Sequence, residues 1–93
     1  MADNVEDISI NYEEDGVQIV KEIDKVILSK GAWATIIFRY QQWDSKANDY
    51  GLDRYTIRRY RKLQGAYQAQ GKFNISSKDQ AQKIVDALQG WIS

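Results

Sequence analysis

Apolar and polar side chains alternate through the middle of the chain, which is the pattern of a β-strand with one buried face. The clearest example is AWATIIFRYQQW, residues 32–43, which is rich in aromatic and β-branched residues and contains no internal Gly or Pro. Alternation places four apolar residues on one side of this strand: Ala34, Ile36, Phe38 and Tyr40. We expect that side to line a core and the other side to be partly wet.

The same alternation predicts two strands joined by a tight turn further along. Residues 54–63 form the first strand, and Gln64-Gly65 is a suitable two-residue hairpin turn because Gly readily adopts a positive φ. The second strand, residues 66–75, has an apolar row on its inner side: Tyr67, Ala69, Phe73 and Ile75.

The segment before residue 32 is ambiguous. Over residues 17–28 the spacing of apolar residues fits a helix, while the β-branched content fits a strand. We favour a strand over residues 23–29, because the turn signal Lys30-Gly31 follows at once.

The last element is predicted to be an α-helix. Ser77 is a suitable N-cap, and Gln80, three residues later, completes a capping box. Apolar residues then recur at helical spacing and form one stripe: Ala81, Ile84, Val85, Leu88, Trp91 and Ile92. Gly90 stands where a C-terminal cap is expected.

These elements predict an α+β fold, a four-stranded antiparallel sheet followed by one C-terminal helix in the order β-β-β-β-α. A single helix covers only one face of such a sheet, so the other face must meet water, a ligand or another subunit. A body of about 75 residues has a marginal core by itself. The apolar stripe of the helix is also larger than this core needs. We therefore predict a homodimer paired through the C-terminal helices, with Ile84, Leu88 and Trp91 in the interface.

The formal net charge of zero hides an asymmetry along the chain. Residues 1–24 hold eight acids and one base, a balance of −7, whereas residues 25–93 hold twelve bases and five acids, a balance of +7. Such a distribution is typical of an acidic tail on a body that binds polyanions. We predict an acidic flexible tail over residues 1–16 and a binding domain over residues 17–93.

Composition excludes several classes of function. The chain has no His and no Cys, which removes the commonest general base, the commonest metal ligand and any disulfide. Neither a signal peptide nor an apolar run of membrane-spanning length is recognisable. We expect a soluble, intracellular, cytoplasmic protein that is not secreted, is not an enzyme, and uses no metal, cofactor or membrane.

The stretch RYTIRRYRK, residues 54–62, gathers five cations and two tyrosines in nine positions. Aromatic rings interleaved with cations on an open sheet suit single-stranded nucleic acid, because unpaired bases stack on rings while Lys and Arg bind phosphates. The residues expected on that face are Trp33, Arg39, Trp43, Arg54, Arg58, Tyr60, Lys62 and Lys72. Taken singly, each cation is more typical of a solvated surface, and Trp33 or Trp43 is more typical of a core or an interface than of a stacking platform. The tyrosines could be cross-strand packing partners.

Two segments carry a family resemblance, KGAWATIIFRYQQW (residues 30–43) and GKFNISSKDQAQKIVDAL (residues 71–88). They resemble the transcriptional coactivator p15 (PC4) family of single-stranded DNA-binding proteins, in its bacterial or phage branch. The resemblance implies dimerisation through the helices and one DNA strand bound by each sheet. It also implies DNA contacts at four positions: Lys30, Arg39, Trp43 and Lys72.

We therefore predict sequence-tolerant binding of single-stranded DNA that supports replication, recombination or transcription, with proteins of those processes as further partners. The alternatives are a protein-interaction module or transcription cofactor, and single-stranded RNA binding. We also predict that residues 3–15 lie intermittently over the basic sheet and compete with DNA, so that deleting residues 1–16 tightens binding.

Overall fold

The computed structural model describes residues 4–93, which form an antiparallel sheet followed by one helix. After a short 3-10 turn at Val5–Asp7, the elements are β1 Tyr12–Glu14, β2 Val17–Ser29, β3 Trp33–Asp44, β4 Asp49–Tyr50, β5 Arg54–Leu63, β6 Ala66–Ile75 and α1 Lys78–Ile92. The α+β class with a single C-terminal helix is confirmed, whereas the predicted count of four strands is wrong. The two additional strands, β1 and β4, have three and two residues, so alternation does not reveal them.

The strands follow one another across the sheet in the order β1-β2-β3-β5-β6, with every neighbouring pair antiparallel. The short strand β4 pairs only with the end of β3. Strands β5 and β6 have the predicted bounds, and β2 begins at Val17 rather than at residue 23. The hairpin turn between β5 and β6 is also confirmed, with φ of 52° at Gln64 and 83° at Gly65, as a primed turn requires.

Directly paired residues of antiparallel strands lie on the same face, so the register defines two faces of the sheet. We call the face that carries Ala34, Ile36, Phe38 and Tyr40 the inner face and the opposite face the outer face. On β5 the partners of three of these residues are Tyr60, Arg58 and Thr56, which are therefore also on the inner face. The predicted core side of β3 is confirmed, because all four of its residues are buried.

The N-terminal segment, residues 4–11, covers part of the inner face. Its three apolar side chains, Val5, Ile8 and Ile10, are buried and belong to the same core cluster as Ile36 and Phe38. Spacing of 5, 8 and 10 directs all three towards the sheet from a segment that is otherwise polar. The core is thus closed by the beginning of the chain.

Polar groups of β2 hold this segment in position. The Lys25 ammonium donates to the backbone carbonyl oxygens of Glu6 and Ile8, both at 2.6 Å. The backbone N–H of Glu22 donates to Asn11 Oδ1 at 2.7 Å. Because these bonds engage a charged donor and backbone groups, they fix the path of the segment and not only its burial.

The predicted flexible tail over residues 1–16 therefore differs from the structure. Its first three residues lie outside the described part of the chain. The rest forms the 3-10 turn, the N-terminal segment and β1, which pairs with β2 through the turn at Asp15-Gly16. High acidity misled the prediction, because Glu13, Glu14 and most other acids of this region face solvent while the few apolar residues are buried.

The helix α1 begins as predicted. The Gln80 backbone N–H donates to Ser77 Oγ at 3.0 Å, so Ser77 is the N-cap. The Gln80 side chain accepts from the backbone N–H of Ser76 at 2.6 Å, one residue before the cap. The predicted C-cap at Gly90 is wrong, since the helix continues to Ile92.

The prediction that this helix covers one face of the sheet is also wrong. No residue of α1 is buried, and the helix approaches the sheet mainly at β6, near the half-buried Gln80, Ala81 and Ile84. Further along, the stripe is open to solvent, with 48% of Leu88 and 79% of Trp91 exposed. The molecule is accordingly broad and flat, 41 × 39 × 17 Å.

A bulge in β6 changes which side chains face inwards. The register shifts between Arg59 and Tyr60, so that Tyr60 pairs with Ala69 while Arg59 pairs with Gly71. Tyr67 and Ala69 lie on the inner face as predicted, but Phe73 pairs with Ile57 on the outer face. One additional residue reverses the alternation of everything beyond it.

Within residues 4–93, no helix combines the length and the apolar character needed to span a bilayer.

Candidate nucleic-acid interface

Strand β5 carries the five cations of the stretch RYTIRRYRK, residues 54–62, and it lies between β3 and β6 within the sheet. Its alternation sends Arg54, Arg58 and Lys62 to the inner face and Arg59 and Arg61 to the outer face. The charge of this strand is therefore divided between two surfaces.

The predicted binding residues divide in the same way. On the inner face lie Arg54, Arg58, Tyr60, Lys62 and Lys72; on the outer face lie Trp33, Arg39 and Trp43. Lys30 lies between the two sets, at the turn from β2 to β3. The expectation that all of these side chains share one open face is wrong, because Arg58 pairs with the buried Ile36.

The cations of the outer face already have partners in their own chain. The guanidinium groups of Arg59 and Arg61 lie 4.5 and 5.4 Å from the centre of the Trp33 ring, within the range of cation–π attraction. Arg39 Nη1 is 3.3 Å from Asp53 Oδ2. On this face one cation, Arg39, is paired with a carboxylate, and Arg59 and Arg61 lie against a ring that does not neutralise them.

Trp43, the other predicted stacking ring, is engaged in packing. Its ring meets the edge of Tyr50 at a centroid distance of 5.2 Å and an angle of 77°. The Tyr50 hydroxyl donates to the backbone carbonyl of Gln18 at 2.9 Å, and the Lys21 ammonium lies 5.1 Å from its ring. Trp43 thus joins β4 to the sheet, which is a structural role.

The inner face carries a second group of cations. We call Arg54, Arg58, Lys62 and Lys72 the inner cation row. Among residues 4–93, none of the four lies within 4.0 Å of a carboxylate oxygen; the two ion pairs found there are Glu6–Lys30 and Arg39–Asp53. The row therefore presents four positive charges, none of which is in direct contact with a carboxylate of residues 4–93.

Tyr60 belongs to the core and not to the exposed surface. Burial of its hydroxyl raises the pKa of Tyr60, and the neighbouring Arg58 guanidinium offsets part of that rise. The ring is buried beside Ala34, its cross-strand partner. Tyr60 therefore lies between Arg58 and Lys62 on the same face, and the prediction that it stacks on a base is not compatible with its burial.

A residue that the sequence analysis did not select for binding, Tyr67, supplies a half-buried ring at the edge of the core cluster. The hairpin register pairs it with Lys62, whose ammonium lies 5.6 Å from the ring centre. The Tyr67 hydroxyl donates to the backbone carbonyl of Gly31 at 2.6 Å and so ties β6 to the β2–β3 turn. The Gln64-Gly65 turn was the available signal, because a two-residue loop fixes which residues pair across it.

These groups surround an open depression of about 580 Å³ at one end of the inner cation row. Its lining consists of Asn4, Val5, Glu6, Lys30, Gly31, Lys62 and Tyr67. Lys30 Nζ is 3.6 Å from Glu6 Oε1, and both side chains are exposed. A carboxylate of the N-terminal segment thus occupies the position in which an external anion would meet Lys30.

No protein-family model, curated protein or solved structure matches this chain. The resemblance to the coactivator p15 family rests on the residues quoted above and stays a prediction. In residues 4–93, no three Asp or Glu side chains are grouped as metal ligands. The side chains through which the inner face could bind a ligand are therefore its cations and Tyr67.

Proposed function

We propose that this protein binds single-stranded nucleic acid, with DNA as the first candidate, along the inner cation row. The observation that carries the proposal is the grouping of Arg54, Arg58, Lys62 and Lys72 on one face, where none of them forms an ion pair within residues 4–93. Unneutralised cations on one surface attract a polyanion and release its counterions.

The spacing of the row suits one phosphate backbone. Arg54, Arg58 and Lys62 are four residues apart on one strand, so neighbouring cations are separated by about 13 Å. Lys72 widens the row on β6, directly opposite Arg58. Such a line follows a single extended backbone, and Tyr67 at its end offers a ring on which an unpaired base stacks.

The function that follows is sequence-tolerant coating of unwound strands during replication, recombination or transcription, without catalysis. Single strands are favoured over duplex because a duplex hides the faces of its bases, leaving Tyr67 nothing to stack on. Phosphate contacts do not distinguish DNA from RNA, so RNA is the closest alternative. A protein partner on the same face is the other alternative.

We further infer that the protein is a homodimer paired through α1. Support comes from the apolar stripe, whose half at Leu88, Trp91 and Ile92 is open to solvent within the chain. Burying each such side chain contributes about 1.5–3 kcal/mol, which a second copy of the helix supplies in an isologous pair. The predicted interface residues are Ile84, Leu88 and Trp91, and a dimer joins two inner cation rows into one assembly.

The test is a titration of a short deoxythymidine oligomer and of a matched duplex at several salt concentrations. We expect the single strand to bind more tightly, and its log affinity to fall against log salt with a slope of about −3 for four phosphates neutralised on each protomer. Equal affinity for the duplex, or a flat salt response, would overturn the proposal.

Two neighbouring residues of β5 provide a matched pair of variants. Lys62→Glu and Arg61→Glu introduce the same side chain and remove one positive charge each, but on opposite faces. We expect Lys62→Glu to weaken binding strongly and Arg61→Glu to weaken it slightly. The reverse order would assign the site to the outer face, and a protein partner would be indicated if neither oligomer bound.

A further inference from the structure

Three hydrogen-bond donors converge on one part of the inner face. Arg58 and Lys72 are directly opposite each other across β5 and β6, and the next inner-face pair along the strands is Thr56 with Asn74. Like charges directly opposite in an antiparallel pair destabilise it. Neither Arg58 nor Lys72 forms an ion pair with a carboxylate of residues 4–93.

Arg58 itself has an unused donor. Its side chain is half-buried, and its Nε is fully buried without a hydrogen-bond partner among the described residues. A buried donor without an acceptor is costly, and such groups are few in folded proteins. This unfavourable free energy falls in the middle of the inner cation row, at the residue that pairs with Lys72.

Asn74 contributes the third donor. The buried Thr56 hydroxyl donates to Asn74 Oδ1 at 2.7 Å, which uses the acceptor end of the amide. The amide nitrogen, with its two hydrogens, is thereby directed away from Thr56. The surroundings of Arg58 are therefore rich in donors, and no carboxylate oxygen of residues 4–93 lies within 4.0 Å of its guanidinium.

We propose that Arg58, Lys72 and Asn74 form a seat for one phosphate group. A tetrahedral oxyanion supplies further acceptors for these three side chains and screens the repulsion between Arg58 and Lys72. Because Nε is buried, the Arg58 guanidinium turns outwards when phosphate binds. Its Nε–H, which has no acceptor among residues 4–93 of the free protein, then joins a bidentate contact with the phosphate oxygens. The seat refines the proposed function: if the phosphate belongs to a nucleic-acid strand, the seat rests on that function. A free phosphate ion presents the same chemistry.

Nuclear magnetic resonance of the arginine Nε–H groups tests the seat directly. The full chain is titrated with inorganic phosphate and, separately, with chloride at matched ionic strength. We expect the Arg58 Nε signal to shift saturably with phosphate alone, while the Arg59 Nε signal, on the outer face, follows ionic strength only. An Arg58 signal that responds equally to both anions overturns the seat.

A second arm identifies the source of the phosphate. Arg58→Lys and Arg59→Lys keep the charge and remove the guanidinium, and both are titrated with the deoxythymidine oligomer. We expect Arg58→Lys to lose about tenfold or more in affinity, as for a hydrogen bond to a charged group, and Arg59→Lys to bind like the unchanged protein. Equal affinities for the two variants overturn the seat as a contact for the strand, while the proposed function stands.

The two arms keep the two proposals separable. If phosphate shifts the Arg58 signal but no oligomer binds, the seat stands with a free phosphate as its ligand, and the proposed function fails.

A third variant, Asn74→Asp, adds a measurement of stability, because it places a carboxylate beside Arg58. We expect this variant to abolish the phosphate shift and to raise the midpoint of unfolding; an unchanged shift contradicts the assignment of Asn74.

Discussion

The N-terminal segment and the helix α1 relate to the sheet in opposite ways. The segment is short, acidic and without regular secondary structure beyond one turn, yet Val5, Ile8 and Ile10 are buried in the core. The helix is long, well capped and amphipathic, yet none of its residues is buried. Regular structure and burial are therefore separate properties, and each end of this chain has only one of them.

The difference assigns separate tasks to the two ends. The segment closes the apolar part of the inner face, so it is required for the fold of a single chain. The helix leaves its stripe open, so its apolar free energy is available for association with a second chain. Variants at the two ends should therefore change different measurements, stability at one end and oligomeric state at the other.

The largest effect is expected at the centre of the N-terminal segment. Ile8→Asp places a carboxylate where the side chain is 4% exposed, next to the apolar core, and should cost more than about 4 kcal/mol. Denaturant unfolding followed by tryptophan fluorescence measures it. Ser9→Asp, one residue later and exposed, is the control and should cost less than about 0.5 kcal/mol. Equal midpoints for the two variants would show that the segment does not close the core.

This expectation also replaces the competitive-tail prediction. Deleting residues 1–16 removes Val5, Ile8 and Ile10 together with β1, so the truncated chain should unfold and not bind DNA more tightly.

The next effect concerns the polar attachment of the same segment. Lys25→Met removes the ammonium that serves the carbonyls of Glu6 and Ile8, and we expect a loss of about 2–3 kcal/mol of stability. Lys21→Met is the matched control, because Lys21 is exposed on the outer face and lies 5.1 Å from the Tyr50 ring. If both variants unfold at the same denaturant concentration, apolar burial alone holds the segment.

At the other end of the chain, Leu88→Asp should weaken dimerisation by about 2 kcal/mol or more, which is over tenfold in the dissociation constant. Its stability as a monomer should hardly change, since Leu88 is 48% exposed in the single chain. Sedimentation equilibrium gives the dissociation constant. Gln89→Asp introduces the same group on the opposite side of the helix, where the side chain is exposed, and should leave the dimer intact. A monomeric unchanged protein would refute the pairing outright.

The sequence was informative wherever structure is local. The cap at Ser77, the turn at Gln64-Gly65 and the bounds of β5 and β6 depend on neighbouring residues, and they agree with the structure. The inner side of β3 was also predictable, because Ala34, Ile36, Phe38 and Tyr40 alternate without interruption.

The sequence was misleading wherever distant segments decide the outcome. The register of β3 against β5 is set across the long connection through β4, so the face on which Arg58 lies could not be read from β5 alone. The bulge opposite Arg59 and Tyr60 reversed the second half of β6. Burial of Val5, Ile8 and Ile10 was hidden because the average composition of an acidic segment conceals three well-placed apolar residues.

A smaller effect is expected from the core beneath the inner cation row. Burial raises the pKa of Tyr60 in the folded chain above its ordinary value of 10.0. The hydroxyl therefore ionises more readily in the unfolded chain, so stability that is fully present below pH 10 is lost as pH rises through the folded pKa. Tyr60→Phe should reduce the alkaline loss of stability in denaturant titrations. A loss of the same size in both proteins would place its origin at other groups.

The smallest effect concerns the contact between the N-terminal segment and the binding face. Glu6 pairs with Lys30 at 3.6 Å, and both side chains are largely exposed, so the pair contributes no more than about 1 kcal/mol. Glu6→Gln should therefore leave stability unchanged but release Lys30 for phosphate, tightening oligomer binding a few-fold at low salt and not at high salt. Asp7→Asn removes the same charge from an exposed neighbour. If Asp7→Asn tightens binding equally, the segment acts through its overall charge. If only Glu6→Gln tightens binding, the N-terminal segment that closes the core also competes with phosphate for Lys30, at one end of the inner cation row.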